Sequence, residues 1–218
     1  MLREVETKQR ELHESHLEIL RNQINPHFLY NTLDSIVWMC KMGKADEAAE
    51  MTSALAKLFR VGISRGKKLI LVAKEAEHAE SYLKIQSMRF KSKFDYTMDI
   101  SPEALACRCN KIILQPFIEN SIKHGIIEGE KLHISVKGRV SAKDLILTVA
   151  DDGCGMSAEK LEKIRAGNCE TMGIGIKNVD LRIKMCFGEE YGVFVDSVED
   201  DGTTITLRLP RTTEEKQE

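Results

Sequence analysis

The residue with the clearest capacity for chemistry is His27, in the stretch QINPHFLYNTL that runs from Gln23 to Leu33. A neutral imidazole is a nucleophile near neutral pH and can accept a phosphoryl group. A single histidine on a helix is more often a partly buried structural residue, so His27 alone does not decide its role. Three stretches further along the chain contain side chains suited to a phosphate ligand, and together with His27 they predict phosphoryl chemistry.

The first of these stretches is QPFIENSIKHG, residues 115–125, whose pattern is typical of a helix. Glu119, Asn120 and Lys123 lie within one turn of each other, so an acid, an amide and a cation can share a face. An amide oxygen suits Mg²⁺, a hard ion that prefers oxygen ligands and keeps water while bound to phosphates. Lys123 and His124 are candidates for contact with phosphate oxygens. The alternative is a helix whose polar side is only solvated.

Two stretches that contain glycine follow. Asp151 opens DDGCGM at the end of an apolar strand, where a carboxylate can accept a hydrogen bond from an exocyclic amine. Gly153 and Gly155 would let a flat ring approach the backbone, although the same pattern also fits a tight turn. Gly173 and Gly175 open a helix in GIGIKN, where free N–H groups can bind phosphate. Their spacing is not that of a dinucleotide-binding fingerprint.

The elements that must position His27 are helical. Residues 2–25 contain no glycine or proline and show an imperfect heptad pattern, which predicts a helix that associates with others. Pro26 is expected to kink this helix, which then continues to about Cys40 with Gly43 as its C-cap. Residues 45–63 and 74–88 predict two further helices. Because the helical hairpin buries little surface alone, we expect it to pair with a second copy as a four-helix bundle.

From residue 93 onward the pattern changes to that of a sheet. Alternating apolar residues predict five strands, over 94–100, 132–140, 144–150, 192–198 and 203–209. Residues 110–124, 157–164 and 174–187 predict three helices, and the Asp-Asp-Gly sequence at 200–202 is a hairpin turn signal. The predicted fold class is therefore α+β: a helical hairpin for dimerisation, then a two-layer α/β sandwich with helices on one face.

The composition excludes several classes of protein. Lysine and arginine total 32 against 34 acidic residues, a net charge of −2, so we expect no nucleic-acid partner. Six cysteines without CxxC spacing indicate reduced thiols in a cytosolic protein rather than a disulfide framework or a zinc site. No apolar run approaches the ~20 residues that cross a bilayer. Because the chain begins inside a charged helical stretch, we expect a piece of a longer protein whose other segments include a membrane anchor.

The order of the three ligand-binding stretches resembles the N, G1 and G2 boxes of one ATP-binding family. QPFIENSIKHG, DDGCGM and GIGIKN match these boxes, and the family includes gyrase, histidine kinases and the mismatch-repair protein MutL. Through QINPHFLYNTL, residues 20–90 resemble the dimerisation and phosphoacceptor region of the LytS-like sensor histidine kinases. The resemblance implies a phosphoacceptor hairpin over 1–66, a connecting helix over 67–92, a Bergerat-type ATP-binding domain over 93–210 and a tail over 211–218.

The resemblance also implies roles for individual residues. His27 would attack the γ-phosphate of ATP, a reaction that needs positioning and charge neutralisation more than covalent assistance. Residues 157–172 would form a lid over the nucleotide. The implied ligands are Asn120 for Mg²⁺, Asp151 for the adenine amine, Gly153 and Gly155 at the purine, Gly173 and Gly175 at the phosphates, and Thr203 beside the adenine.

One departure from the family concerns the residue after the phosphoacceptor. Many histidine kinases have an acid there, whereas Phe28 follows here, so our candidate for the general base is Glu119. Asn31 lies on the same helix face as His27 and could orient a water for dephosphorylation, or could be a polar residue inside the bundle.

We therefore expect the cytoplasmic kinase core of a two-component sensor. As a homodimer, it would autophosphorylate His27 and transfer the group to an aspartate of a response regulator. The alternatives are a non-catalytic dimeric scaffold that binds ATP and a serine kinase of the anti-sigma type.

Overall fold

The computed structural model describes residues 26–62, 69–90, 93–126, 129–165 and 174–213. The chain forms two compact units, one that ends at Ser53 and one that begins at Ala54. The helix predicted over residues 2–25, and with it the kink at Pro26, lies outside the described residues. No helix within the described ranges is both long and apolar enough to span a bilayer.

The first unit contains helix α1 (Pro26–Lys41) and the beginning of helix α2 (Ala45–Gly62). Helix α1 ends at Lys41, and Gly43 terminates it as predicted, with a positive φ of 71° that glycine tolerates well. Lys44 N–H donates to the carbonyl of Met39 at 2.9 Å and Gly43 N–H to that of Cys40 at 3.1 Å. These two bonds form a Schellman motif, which turns the chain directly into α2.

Helix α2 continues from the first unit into the second. Its apolar stripe, predicted from the spacing of Met51, Leu55 and Leu58, is buried along its length. Helix α3 (Val72–Arg89) follows and lies in the second unit, together with the strands. It extends two residues before and one residue beyond the range predicted from the sequence.

The second unit is built on a five-stranded mixed sheet in the order β2-β4-β5-β7-β6. Strands β2 and β4 are parallel and the other neighbours are antiparallel. The strands are β2 (Phe94–Ile100), β4 (Leu132–Val140), β5 (Asp144–Asp151), β6 (Gly192–Val198) and β7 (Gly202–Pro210). All five predicted strands are thus confirmed within one residue at each end.

One face of the sheet is apolar and the other is polar. Along β4, Leu132, Ile134 and Val136 are buried, whereas Lys137 and Arg139 on the opposite face are exposed. The apolar face packs against α3 and against the helices α5 (Gln115–Gly125) and α7 (Ile174–Phe187). A short helix, α6 (Ala158–Arg165), lies beside β6. The predicted two-layer sandwich with helices on one face is confirmed.

Three features of the second unit differ from the prediction. Strands β1 (Leu69–Leu71) and β3 (Arg108–Asn110) form a small antiparallel sheet that the sequence did not indicate, because three-residue strands carry almost no periodic signal. A one-turn helix, α4 (Pro102–Leu105), precedes β3. The helix predicted over 110–124 was wrong at its start: Asn110 pairs with Leu69 in the small sheet, and α5 begins five residues later, at Gln115.

The hairpin between β6 and β7 confirms the turn predicted from Asp-Asp-Gly. Asp200 has φ 62° and Gly202 has φ 105°, a conformation that favours glycine. A Cβ atom on Gly202 would also lie 2.0 Å from the carbonyl oxygen of Asp151. This close approach brings the start of β7 against the end of β5, where the acidic stretch begins.

Candidate active site

The second unit contains a cleft of about 270 Å³ between α5, the end of β5, α6, α7 and β7. It collects side chains from all three of the stretches that resemble nucleotide-binding boxes. Its lining residues are Phe117, Asn120, Ser121, His124, Gly125, Asp151, Cys154, Gly155, Met156, Lys160, Ile164, Ile176, Thr203 and Ile205. The wall is mainly apolar, with a few polar groups that converge on it, as is usual for sites that bind small molecules.

The carboxylate of Asp151 is held from two sides at the edge of this cleft. Asp151 ends β5, where it is paired with Ile134 of β4 and Thr203 of β7. The hydroxyl of Ser121 on α5 donates to Oδ2 at 2.6 Å, and the N–H of Gly153 donates to Oδ1 at 3.2 Å. These bonds fix the orientation of the carboxylate, so that it can accept a hydrogen bond from a ligand in the cleft.

The glycines after Asp151 allow backbone segments to approach closely. A Cβ atom on Gly153 would lie 2.4 Å from the Cα of Gly125, at the end of α5. Gly155 has φ 61°, and a Cβ atom there would lie 1.8 Å from the carbonyl oxygen of Val198. Glycine at both positions is therefore required by packing, and Gly155 lines the cleft.

The cleft contains basic side chains as well as an acid. His124 and Lys160 both line it, and the thiol of Cys154 donates to the carbonyl of His124 at 3.0 Å. Partial burial, together with the charges of Lys123 and Lys160, holds the pKa of His124 below its ordinary value. His124 is thus mainly a neutral imidazole at neutral pH, and an anionic ligand would favour its charged form.

Several residues proposed from the sequence lie near the cleft but do not line it. Glu119 is half-buried on α5 and faces Tyr82, whose pKa is raised by burial and by the Glu119 charge. Lys123 is exposed, and Gly175 lies against Pro116, since a Cβ atom there would be 3.4 Å from the Pro116 Cβ. Gly173 lies outside the described residues. The role of Glu119 as general base and the ligand-binding roles of Lys123, Gly173 and Gly175 stay predictions.

Sequence reasoning assigned no role to Ser121, Phe117 or Lys160. The first two could have been found from helical spacing, because Phe117, Ser121 and His124 lie three or four positions apart and so share a face with Asn120. Lys160 lies on α6, within the segment predicted to form a lid, and no motif singled it out.

His27 lies in the first unit, at the second residue of α1, and its side chain is exposed. The side-chain nitrogen of Asn31 is 3.1 Å from both ring nitrogens of His27. An amide nitrogen at this distance can form a hydrogen bond with the imidazole and so restrain its orientation. Asn31 therefore touches the residue proposed to be the phosphoacceptor, as expected from their spacing.

The described residues contain no group of three or more His, Cys, Asp or Glu side chains that could hold a metal ion. A Mg²⁺ ion in this cleft would therefore depend on Asn120 together with oxygens of a phosphate ligand and water. That is a common way for proteins to bind Mg²⁺, which usually keeps several waters.

Two family models match the chain over its two regions. Residues 15–94 match the model described as histidine kinase, and residues 111–213 match the one described as histidine kinase-, DNA gyrase B- and HSP90-like ATPase. Among curated proteins, the chain is 34% identical over 204 residues to the sensor histidine kinase YesM of Bacillus subtilis. It is 30% identical to the sensor histidine kinase BtsS of Escherichia coli and 26% identical to the sensor protein kinase HptS of Staphylococcus aureus.

These alignments cover most of this chain but a smaller part of each relative. The alignment with YesM includes 93% of this chain and 34% of YesM. The alignment with BtsS includes 91% of this chain and 34% of BtsS, and that with HptS includes 96% of this chain and 41% of HptS. The chain thus spans about a third of the length of the first two relatives.

Solved structures share its fold. The histidine kinase domain of a blue-light activated kinase from Erythrobacter litoralis superposes with a TM-score of 0.51 at 14% identity, covering 89% of this chain and 90% of that one. The catalytic domain of the histidine kinase ThkA gives 0.53 at 18% identity, over 67% of this chain and 97% of that one.

Proposed function

Since the chain belongs to the sensor histidine kinases, we propose that it is a kinase core that transfers the γ-phosphoryl group of ATP to His27. The observation that carries the proposal is the cleft, which brings Asn120, Asp151, Gly155 and Thr203 together from separate stretches of the chain. The match of residues 111–213 to an ATPase family makes ATP the expected ligand. The exposed position of His27 makes the imidazole accessible to a phosphoryl donor.

The residues of the cleft suggest a division of labour. The carboxylate of Asp151, which Ser121 orients, would accept a hydrogen bond from the exocyclic amine of adenine. Thr203 is paired with Asp151 on the neighbouring strand β7. His124 and Lys160 offer positive charge to the phosphates, and Asn120 offers an oxygen to Mg²⁺. When bound, the ion neutralises charge on the phosphates as the group is transferred. Glu119 stays our candidate for the general base.

In the first unit, the His27–Asn31 contact supports a nucleophilic role for the imidazole. The amide of Asn31 can restrain the orientation of the ring, which attacks phosphorus in its neutral form. We propose that the same amide orients a water near phosphorylated His27 and so contributes to dephosphorylation. The aspartate of a response regulator is the proposed acceptor in the next step.

We infer in addition that the kinase core is a homodimer on the cytoplasmic side of a membrane, to which further segments of the protein attach it. The dimer is supported by apolar side chains exposed on α1, among them Tyr30, Leu33 and Val37. Large apolar side chains grouped on an exposed helix usually mark a surface for association.

The test is incubation of the chain with γ-labelled ATP and Mg²⁺. We expect a label that is labile in acid, as phosphohistidine is, and that disappears in the variant His27→Gln. The control is His133→Gln, which changes a half-buried histidine of β4 that does not line the cleft and should keep the label. An acid-stable label would indicate a hydroxyl acceptor and a serine kinase, while ATP binding without any label would indicate a scaffold. Either result would contradict the proposal.

A further inference from the structure

Among the buried polar side chains of helix α3, Glu75 and His78 are the two nearest its beginning. They lie one turn apart, with exposed fractions of 0% and 3%. Both reach the few residues at which helix α5 begins. Buried polar side chains are costly unless they are bonded, so their partners show what this part of the molecule must hold in place.

Glu75 caps the beginning of α5. Its carboxylate accepts the N–H groups of Ile112 at 2.7 Å, Ile113 at 2.7 Å and Leu114 at 2.9 Å. Leu114, the residue before α5, provides no side-chain cap of its own. Ile112 has φ 55°, an unfavourable conformation for a β-branched residue. The buried carboxylate thus stabilises a conformation that the local sequence does not favour.

His78 forms a bridge between two other helices. Its Nδ1 lies 3.1 Å from the carbonyl oxygen of Leu58 on α2, and its Nε2 lies 2.7 Å from the side-chain oxygen of Gln115, the first residue of α5. Nδ1 must donate its proton, because a carbonyl can only accept. The side-chain amide of Gln115 can present its oxygen to a protonated Nε2 or its NH₂ group to an unprotonated one. The bond between His78 and Gln115 can therefore form in either case.

The end of this bridge at α5 lies one to three turns before the cleft. Helix α5 carries Asn120, Ser121 and His124 into the cleft, and its second residue, Pro116, packs against Gly175 of the third motif. Since α5 is a single stiff element, a shift at Gln115 moves all of these groups together. At its other end, the bridge reaches the backbone carbonyl of Leu58 on α2. Three residues separate α2 from α1, the helix that contains His27.

We propose that His78 is a positioning residue, which couples the C-terminal part of α2 to the orientation of α5 through the Leu58–His78–Gln115 bridge. The proposal rests on the proposed function only where it predicts an effect on the phosphorylation of His27. The coupling itself is a property of nucleotide binding and can be measured without any phosphoryl transfer.

Three substitutions separate the two hydrogen bonds of His78. In His78→Asn the side-chain amide can replace Nδ1 and keep the bond to Leu58, but the bond to Gln115 is lost. In His78→Gln the amide can replace Nε2 and keep the bond to Gln115, but the bond to Leu58 is lost. Gln115→Leu removes the partner of Nε2 and leaves His78 itself unchanged. The matched control is Ser81→Ala, which removes a buried polar group one turn further along α3, whose hydroxyl donates to the Glu77 carbonyl of the same helix.

The first measurement is amide hydrogen exchange in the full chain with and without Mg²⁺ and ADP. In the wild type and in Ser81→Ala, we expect ADP to slow exchange at least about fivefold both in α5 and in residues 54–62 of α2. In His78→Asn and His78→Gln, the protection of α5 should remain and that of α2 should be lost. Equal protection of α2 in all variants, or no response to ADP in the wild type, would overturn the proposal.

The second measurement is the rate of His27 labelling from γ-labelled ATP. We expect His78→Asn and Gln115→Leu each to slow labelling about tenfold, roughly the value of one buried hydrogen bond, with ATP affinity changed by less than about twofold. The double variant with His78→Asn and Gln115→Leu should be labelled no more slowly than either single variant, because the two substitutions break the same bridge. Additive losses, or an equal loss in Ser81→Ala, would show a general packing effect and contradict a positioning role.

The two measurements separate this proposal from the proposed function. If the wild type shows no label on His27 but exchange in α2 responds to ADP only when the bridge is intact, the kinase proposal fails and the coupling stands. If His27 is labelled at the same rate in all variants and exchange in α2 does not depend on His78, the coupling fails and the kinase proposal stands.

Discussion

Among the residues of the cleft, His124 is the one whose charge a ligand can change. Burial and the two neighbouring lysines hold its pKa below the ordinary value, so the free protein has a neutral imidazole there at pH 7. A phosphate in the cleft reverses the balance of charge, since an anion favours the imidazolium. Binding of a nucleotide should then be accompanied by uptake of a proton at His124.

This linkage predicts that nucleotide affinity rises as the pH falls from 8 to 6. We expect an affinity increase of about threefold, which is fully present only below the pKa of the free protein and is lost as the pH rises through the pKa of the complex. The measurement is calorimetric titration with ADP in buffers of different ionisation enthalpy, which counts the protons taken up. His124→Gln should remove the contribution of the imidazole and leave only the proton exchange of ADP itself. The same number of protons taken up by this variant and by the wild type would contradict the assignment.

At the scale of the element, the start of α5 depends on a residue far away in the sequence. The carboxylate of Glu75 accepts three backbone N–H groups, and Arg182 of α7 donates to the carbonyls of Lys111 and Ile112 in the same segment. Burial lowers the pKa of Arg182, and the negative charge of Glu75 partly offsets this effect. The segment before α5 is thus held from both α3 and α7.

We expect Glu75→Gln to lower the free energy of unfolding by about 2–4 kcal/mol, because a neutral amide replaces the charged acceptor and turns a donor toward backbone donors. For a chain of this length, that corresponds to a fall in Tm of roughly 5–15 °C. The control is Glu80→Gln, on the exposed side of the same helix, which should change the stability by less than about 0.5 kcal/mol. Thermal unfolding followed by circular dichroism makes the comparison, and equal effects of the two substitutions would rule out the capping role.

The same segment shows why the sequence predicts some elements and not others. The five long strands, the C-cap at Gly43 and the turn at Gly202 depend on short-range patterns, and the structure has them as predicted. The start of α5 depends on Glu75, some forty positions earlier in the chain, so the apolar pattern before Gln115 was mistaken for helix. Long-range bonds of this kind leave no periodic signal.

The candidate site likewise contains residues that local motifs predict and residues that depend on long-range packing. Asp151, Asn120, Gly155 and Thr203 line the cleft and could be proposed from motifs, because each motif fixes side chains within a few residues of one another. Ser121 orients Asp151 across two elements, and Lys160 reaches the cleft from α6. Their contribution depends on how helices pack against the sheet, which a single sequence does not specify. His78 is a further case, since its two partners lie 20 and 37 positions away.

At the scale of the whole molecule, the exposed apolar side chains of α1 indicate how two copies would meet. Tyr30, Leu33 and Val37 follow the spacing of one helical stripe, with exposed fractions of 67%, 44% and 51%. At about 100° per residue, this stripe lies roughly a quarter turn around the helix from His27. Association through it would bury the apolar side chains and leave the imidazole accessible.

We therefore expect Leu33→Lys to weaken the dimer at least about a hundredfold. Burial of one leucine side chain stabilises by about 1.5–3 kcal/mol, and a twofold symmetric interface contains two copies of it. Sedimentation at micromolar concentration should show the mass fall from twice the 24.7 kDa chain mass to that of a single chain. The matched control is Leu181→Lys, which charges an equally exposed leucine on α7, 52% exposed against 44%, and should leave the dimer intact. A dimer that persists in Leu33→Lys and dissociates in Leu181→Lys would move the interface from the helix of His27 to the ATP-binding unit.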